Sequence, residues 1–184
     1  MIVPIVAYGD PVLKKQAEPV IKSYPKLQEV ITNMYETMYN AQGVGLAAPQ
    51  IGLSIQLFIT DGAPFEEEEV KNLRKVFINP VITYEEGDFW VFNEGCLSIP
   101  DIREDIERPK IVHLSYYDEN FTFHKHVVFS GLSARIIQHE YDHLQGILFT
   151  DHLSAIRKRL LKKRLSDISK GQVDVHYRMR FPVK

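Results

Sequence analysis

Apolar side chains at Leu27, Val30, Ile31, Met34, Tyr35 and Met38 recur in steps of three and four just after Pro25. That spacing predicts an amphipathic helix with one buried face. Further along, the segments 55–60, 76–84, 88–93, 111–117 and 121–128 read as β, the last two joined by a hairpin around Asp118-Glu119-Asn120. Residues 132–144 can form a second helix. A strongly basic helix follows over about 152–170, with Gly171 placed to end it. Val173, Val175, Tyr177, Met179 and Phe181 then alternate with polar residues, which predicts a final strand over about 172–182 added to an existing sheet edge.

Length and charge narrow the picture. A chain of 184 residues suits one domain, 1–184, with a true core. No run approaches the ~20 apolar residues that span a bilayer. The start, Met1-Ile2-Val3-Pro4, lacks the basic region of a secretory signal. With a lone cysteine, this predicts a reducing, cytoplasmic setting without a membrane partner. Net charge is −2 but unevenly placed: from Arg157 onward there are ten Lys/Arg against two Asp, leaving 12 basic and 22 acidic residues ahead of them. A basic amphipathic run such as 157–164 is usually a solvated face. The acidic run 66–69 reads as an exposed loop. His113, His124 and His126 fall in predicted strands, where roles within the sheet are expected rather than metal binding.

The chemistry concentrates in three short segments. His139-Glu140-Tyr141-Asp142-His143 is an H-E-x-x-H pattern in the predicted second helix. Positions four apart share a helix face, so both imidazoles can meet one metal ion, with Glu140 placed as a proton acceptor. A catalytic site of this kind needs a third protein ligand and one open position. A histidine six residues after His143 is excluded, because Phe149 stands there, and no glutamate follows Glu140. Asp151, Asp167, Asp174 and the weaker His152 stay open downstream. Upstream, Cys96 in Glu94-Gly95-Cys96-Leu97-Ser98 can supply a thiolate, and a single cysteine has no internal disulfide partner. The third segment, Gly43-Val44-Gly45-Leu46-Ala47-Ala48-Pro49-Gln50, is small-residue backbone suited to close ligand approach, ending in an uncharged donor.

Together these three segments resemble, in order and spacing, the signature motifs of the peptide deformylase family; the resemblance runs from about Pro4 to about Leu165. It implies an α+β fold, with antiparallel sheets packed around a central helix that carries the histidines. It implies hydrolysis of the N-formyl group from the N-terminal formylmethionine of nascent polypeptides, with release of formate. Cys96, His139 and His143 would hold the metal, Fe²⁺ being usual in the family, with Zn²⁺, Ni²⁺ or Co²⁺ able to replace it. Glu140 would be the general base and acid, and Gln50 with the Leu97 backbone N–H would stabilise charge on the formyl oxygen.

The resemblance further implies that Glu94 and Arg108 form a carboxylate–arginine pair supporting the ligands. Gly43, Val44, Gly45, Gly95 and Arg103 would line the peptide groove. Leu132, Arg135 (through its stem) and Ile136 would join the methionine pocket. The basic C-terminal helix would dock on the ribosome, and a monomer is the default. Two rival readings are an amidase acting on another small N-acyl group and a metal-stabilised, non-catalytic ribosome-associated protein.

Overall fold

The computed structural model describes residues 1–65, 67 and 70–182. Of the acidic run 66–69 only Glu67 is among them, and it is exposed. The elements in chain order are β1 (Ile5–Val6), α1 (Leu27–Asn40), β2 (Gly45–Ala47), β3 (Leu57–Thr60), β4 (Lys75–Cys96), β5 (Ile99–Tyr117), β6 (Phe123–Ser130), α2 (Gly131–Leu144), α3 (Ala155–Ser169) and β7 (Met179–Arg180). Short 3₁₀ turns intervene, among them Ala48–Ile51 and Phe149–His152. The fold is α+β. The main sheet is antiparallel in the order β2-β3-β4-β5-β6, and β1 pairs with β7 in parallel as a separate two-stranded ribbon.

The helix stripe predicted over α1 buries Leu27, Ile31, Met34, Tyr35 and Met38 against Leu46, Leu57, Ile59 and Ile78 of the sheet. Helix α2 lies against β2, β3, β5 and β6 and is buried along most of its length. Burying polar groups on a helix enclosed in this way is costly, and most of the charged groups that α2 buries belong to the site.

Two strands are longer than their sequence pattern suggested. β4 joins the two predicted segments 76–84 and 88–93 into one strand of 22 residues, and β5 runs 19 residues. Register shifts at 86/89 and at Gly95/Cys96 let the hairpin bend as it goes. Its two-residue turn, Leu97-Ser98, ends beside α2. The His113 and His124 side chains stay on the sheet, paired with Glu86 and Asp118 at 2.8 Å each.

Helix α3 is amphipathic, with Leu161, Leu165 and Ile168 buried. Several of its cations have internal partners: Arg157 pairs with Glu104 and Lys163 with Asp167. The segment after Gly171 alternates between half-buried odd positions and exposed even ones, as its pattern suggested, yet only Met179 and Arg180 pair as a strand. Its partner, β1, is itself two residues long and limits the ladder. No helix among the described residues is long and apolar enough to cross a membrane.

Candidate metal centre

Helix α2 presents His139, Glu140 and His143 from its C-terminal half, and the tip of the β4–β5 hairpin brings Cys96 to them. The ligand atoms of Cys96, His139 and His143 all lie within 4.8 Å of one another. Cys96 Sγ stands 3.4 Å from His143 Nε2. The two imidazole rings, 5.1 Å apart, meet nearly edge to face. Of the other candidate third ligands, none joins this cluster. His152 pairs with Asp142 (2.7 Å), Asp151 accepts from the Leu148 N–H (2.7 Å), Asp167 pairs with Lys163, and Asp174 sits on the rim of the cleft.

Gln50 enters from the 3₁₀ turn Ala48–Ile51. Its carbonyl oxygen accepts from the Ala47 N–H at 2.8 Å, which fixes the amide's orientation. The amide nitrogen then faces Cys96 Sγ and Ser98 Oγ, 3.4 Å from each. The turn closes on Gly52 at φ +85°, a left-handed conformation that glycine adopts without strain.

Glu140 is 5 % exposed, and its Oε2 has no hydrogen-bond partner among the described residues. Its carboxyl packs over the backbone of β2 at Gly45. A Cβ there would lie 2.7 Å from Glu140 Cδ, so only glycine leaves room for the acid.

Behind the ligands runs a chain of charge. Arg108 Nε and Nη2 donate to the two oxygens of Glu94 (2.8 and 3.1 Å), and Arg108 Nη1 donates to Asp142 (2.7 Å). Arg135 Nη1 donates to Glu94 Oε1 (2.8 Å), and His139 Nδ1–H donates to Glu94 Oε2 (2.9 Å). That last bond fixes the ring so that Nε2 faces the centre. Arg135, 2 % exposed, also donates to the carbonyls of Ile106 and Trp90 and lies over the Trp90 ring.

These neighbours set the protonation of the site. Burial opposes ionisation of Glu94, but hydrogen bonds from His139 and Arg108 hold its pKa well below the usual carboxylate range. Burial also opposes the Cys96 thiolate, yet the His143 charge and hydrogen bonds from both histidines bring its pKa down to about 5. For Glu140, burial wins over the nearby histidines and raises the pKa to about 7. His139 is raised despite burial, through its bonds to Cys96 and Glu94. A proton and a cation compete for the same lone pairs in such a cluster.

A cleft of about 810 Å³ opens onto the centre. Gly43, Val44, Gly45, Gly95, Arg103, Arg135 and Ile136 line it together with Gln50, Cys96, Leu97, His139 and Glu140. Leu132 does not. It is buried in the cluster that contains Phe77 and Phe129. Arg103 is exposed and tied to Asn93 through its side-chain oxygen (2.9 Å) and its carbonyl. Sequence reasoning missed Phe65 and Phe92 in the cleft wall, Asp142 in the charge chain, and the tail residues Val175 to Tyr177 in the cleft lining, and it weighed Asp174 only as a third ligand. Of these, Asp142 had a usable signal, since it lies one helical turn from His139 inside the motif.

Comparisons with known proteins place the chain in one family and one fold. A family model described as polypeptide deformylase matches residues 2–159. The peptide deformylase of Christiangramia forsetii is 56 % identical, covering 99 % of this chain and 97 % of its own. That of Cytophaga hutchinsonii is 53 % identical over the whole of both chains. Among solved structures, a peptide deformylase from Legionella pneumophila superposes with a TM-score of 0.81 at 35 % identity, covering 94 % of this chain and 98 % of that one. One from Plasmodium falciparum has the same TM-score and identity, over 91 % and 95 %.

Proposed function

Because the chain belongs to the polypeptide deformylase family, we propose that it hydrolyses the N-formyl group of formylmethionyl polypeptides as they are made, releasing formate, with the residues of the α2 centre in the roles that follow. Cys96, His139 and His143 hold one divalent cation. A thiolate and two imidazoles are donors that first-row transition metals favour, and three ligands leave a coordination position open. Fe²⁺ is the proposed resident ion, with Zn²⁺, Ni²⁺ and Co²⁺ fitting the same donors. When bound, such an ion lowers the pKa of water and polarises a carbonyl oxygen.

The rest is the work of the chain. Glu140, held near neutral pKa by burial, takes the proton from the attacking water and returns it to the departing amine. Gln50 Nε2, oriented by Ala47, and the Leu97 N–H donate to the formyl oxygen as it gains charge. Glu94, carried by Arg108 and Arg135, keeps His139 in one tautomer. Gly43, Val44, Gly45, Gly95, Arg103 and Ile136 border the groove that receives the peptide. The reaction takes place in the cytoplasm, on nascent chains. The exposed basic face of α3 docks on the ribosome, and the enzyme acts as a monomer.

The observation that carries this reading is the buried, unpartnered Glu140 Oε2 beside a three-ligand cluster. A purely structural metal site has no use for an orphaned carboxylate. Formate release from formyl-Met-Ala-Ser, set against acetyl-Met-Ala-Ser and internal peptide bonds, tests the substrate class. Glu140→Ala is expected to keep its metal and lose at least ~10²-fold in turnover. Survival of full activity would remove Glu140 from its role.

A further inference from the structure

The turn that carries Cys96 is gripped by both ends of the chain. Leu97 and Ser98 form this turn between β4 and β5, and a turn at a hairpin tip has little of its own to hold it. Here the Tyr177 hydroxyl donates to the Leu97 carbonyl at 2.8 Å. The Tyr8 N–H donates to the Ser98 carbonyl at 2.9 Å. On the opposite side, Gln50 reaches Ser98 Oγ and Cys96 Sγ. Gly43 leaves space for the Leu97 side chain: a Cβ there would lie 2.7 Å from Leu97 Cδ1.

The segment that delivers Tyr177 is itself anchored. The Ile5 and Ala7 N–H groups donate to the Arg178 and Arg180 carbonyls, each at 2.9 Å, so β7 is stitched to β1 just ahead of Tyr8. The Arg180 guanidinium lies against Gly52, beside the Gln50 turn: a Cβ at Gly52 would come within 2.6 Å of it. Met179 and Phe181 pack on the same core cluster as Ile99 and Cys96. Between these anchors, Asp174 to Tyr177 cross the mouth of the cleft. A segment needed only for stability could run anywhere along the sheet edge; this one spends a half-buried phenol on the residue next to a metal ligand.

We propose that Tyr177 is a positioning residue of the active site, its hydroxyl fixing the Leu97 carbonyl and, through the Leu97 backbone that joins it to the preceding peptide, the placement of the Leu97 N–H and of Cys96. The proposal rests on the reading of Cys96 as a metal ligand and Leu97 as an oxyanion donor. Removing the hydroxyl loosens the turn without disturbing the fold. The metal then leaves more readily, and charge on the formyl oxygen is met less well, while peptide binding in the groove is untouched.

Tyr177→Phe in the full-length, metal-loaded enzyme tests this, with Arg178→Ala, an exposed side chain on the adjacent residue, as the control. The measurements are zinc loss to a chelator, kcat and KM for formyl-Met-Ala-Ser, and the thermal melt. The expected result for Tyr177→Phe is zinc loss faster by about fivefold and kcat lower by about as much, the size of one lost hydrogen bond. KM and the melt stay near wild type, and Arg178→Ala matches wild type throughout. Unchanged zinc loss and kcat in Tyr177→Phe would overturn the proposal. So would equal losses in Arg178→Ala, which would make the effect one of the whole segment. Wild-type protein that binds no zinc and releases no formate would instead overturn the metal-centre reading on which the proposal stands.

Discussion

Gly45→Ala adds one methyl group at one of the tightest contacts in the molecule, directly against the Glu140 carboxyl. The added Cβ would stand 2.7 Å from Glu140 Cδ and 2.8 Å from Cγ. Non-bonded carbons settle at about 3.5–4.0 Å, so one side must yield by roughly 1 Å. β2 cannot yield easily, because Gly45 pairs with Thr60 and its neighbours are buried on both flanks. The Glu140 backbone is fixed within α2. The carboxyl therefore moves. A displacement near 1 Å in a reacting group costs about 10²-fold in rate, whereas overpacking costs about 1–3 kcal/mol of stability. For a domain of this size that is a melt lowered by roughly 2–12 °C. The assay is steady-state formate release with metal content measured on the same sample. Gly87→Ala is the comparator: its φ of +83° strains alanine, but the nearest atoms are 3.5 Å away and belong to Ile111 and Lys110 rather than to the centre. It should lose stability and keep kcat. A Gly45→Ala enzyme with wild-type kcat and full metal would show that Glu140 need not sit where it does.

Glu94→Gln replaces a carboxylate that receives donors from Arg108, Arg135 and His139 with a group that can accept on only one oxygen. Breaking a buried ionic network this way costs about 3–5 kcal/mol, and loss of a ligand's supporting partner weakens metal binding about 10- to 100-fold; a denaturant melt and a zinc competition titration measure the two, and no change in zinc affinity would contradict the supporting role. Ending the chain after Lys170 removes β7 and the packing of Val173, Met179 and Phe181, which at ~1 kcal/mol each for half-buried groups lowers the melt by several degrees. An unchanged melt would mean the ribbon adds nothing to stability. Ribosome co-sedimentation of the full chain against one ended after Leu153 should show weaker, less salt-sensitive binding in the shorter protein, and equal binding would rule out docking through α3.

The parts of the site that lie close in sequence were legible there. His139, Glu140 and His143 belong to one helix, and helical spacing alone puts the two histidines on one face. Cys96 and Gln50 needed the family resemblance, since nothing local says that a hairpin tip and a 3₁₀ turn converge on α2. Arg135 shows where pattern reading stops. An arginine between Ala134 and Ile136 looks like a stem on a pocket wall, and its buried head group is explained only by partners distant in sequence: Glu94, 41 residues away, and the Ile106 and Trp90 carbonyls. The long strands were read in pieces for a similar reason. From Tyr84 to Val91 the outer face of β4 carries exposed Tyr84, Phe89 and Val91 amid charges, so alternation there marks no buried side. The tail kept its alternation but paired over only two residues, because the number of rungs depends on β1 rather than on its own pattern.

Glu94 and Cys96 sit two residues apart on one strand, and between them they bracket a single imidazole: Glu94 holds His139 at Nδ1, and Cys96 faces its other side. That bracket behaves as a caliper of fixed width. An added residue in the exposed stretch of β4 around Glu85–Asp88 leaves that spacing alone, but inserting or deleting one residue at Gly95 opens the jaws or turns one of them away. Natural length variation in this hairpin should therefore gather in that exposed stretch of β4 and be absent between these two side chains, and a designer wishing to graft the centre elsewhere must carry the Glu-Gly-Cys step across intact.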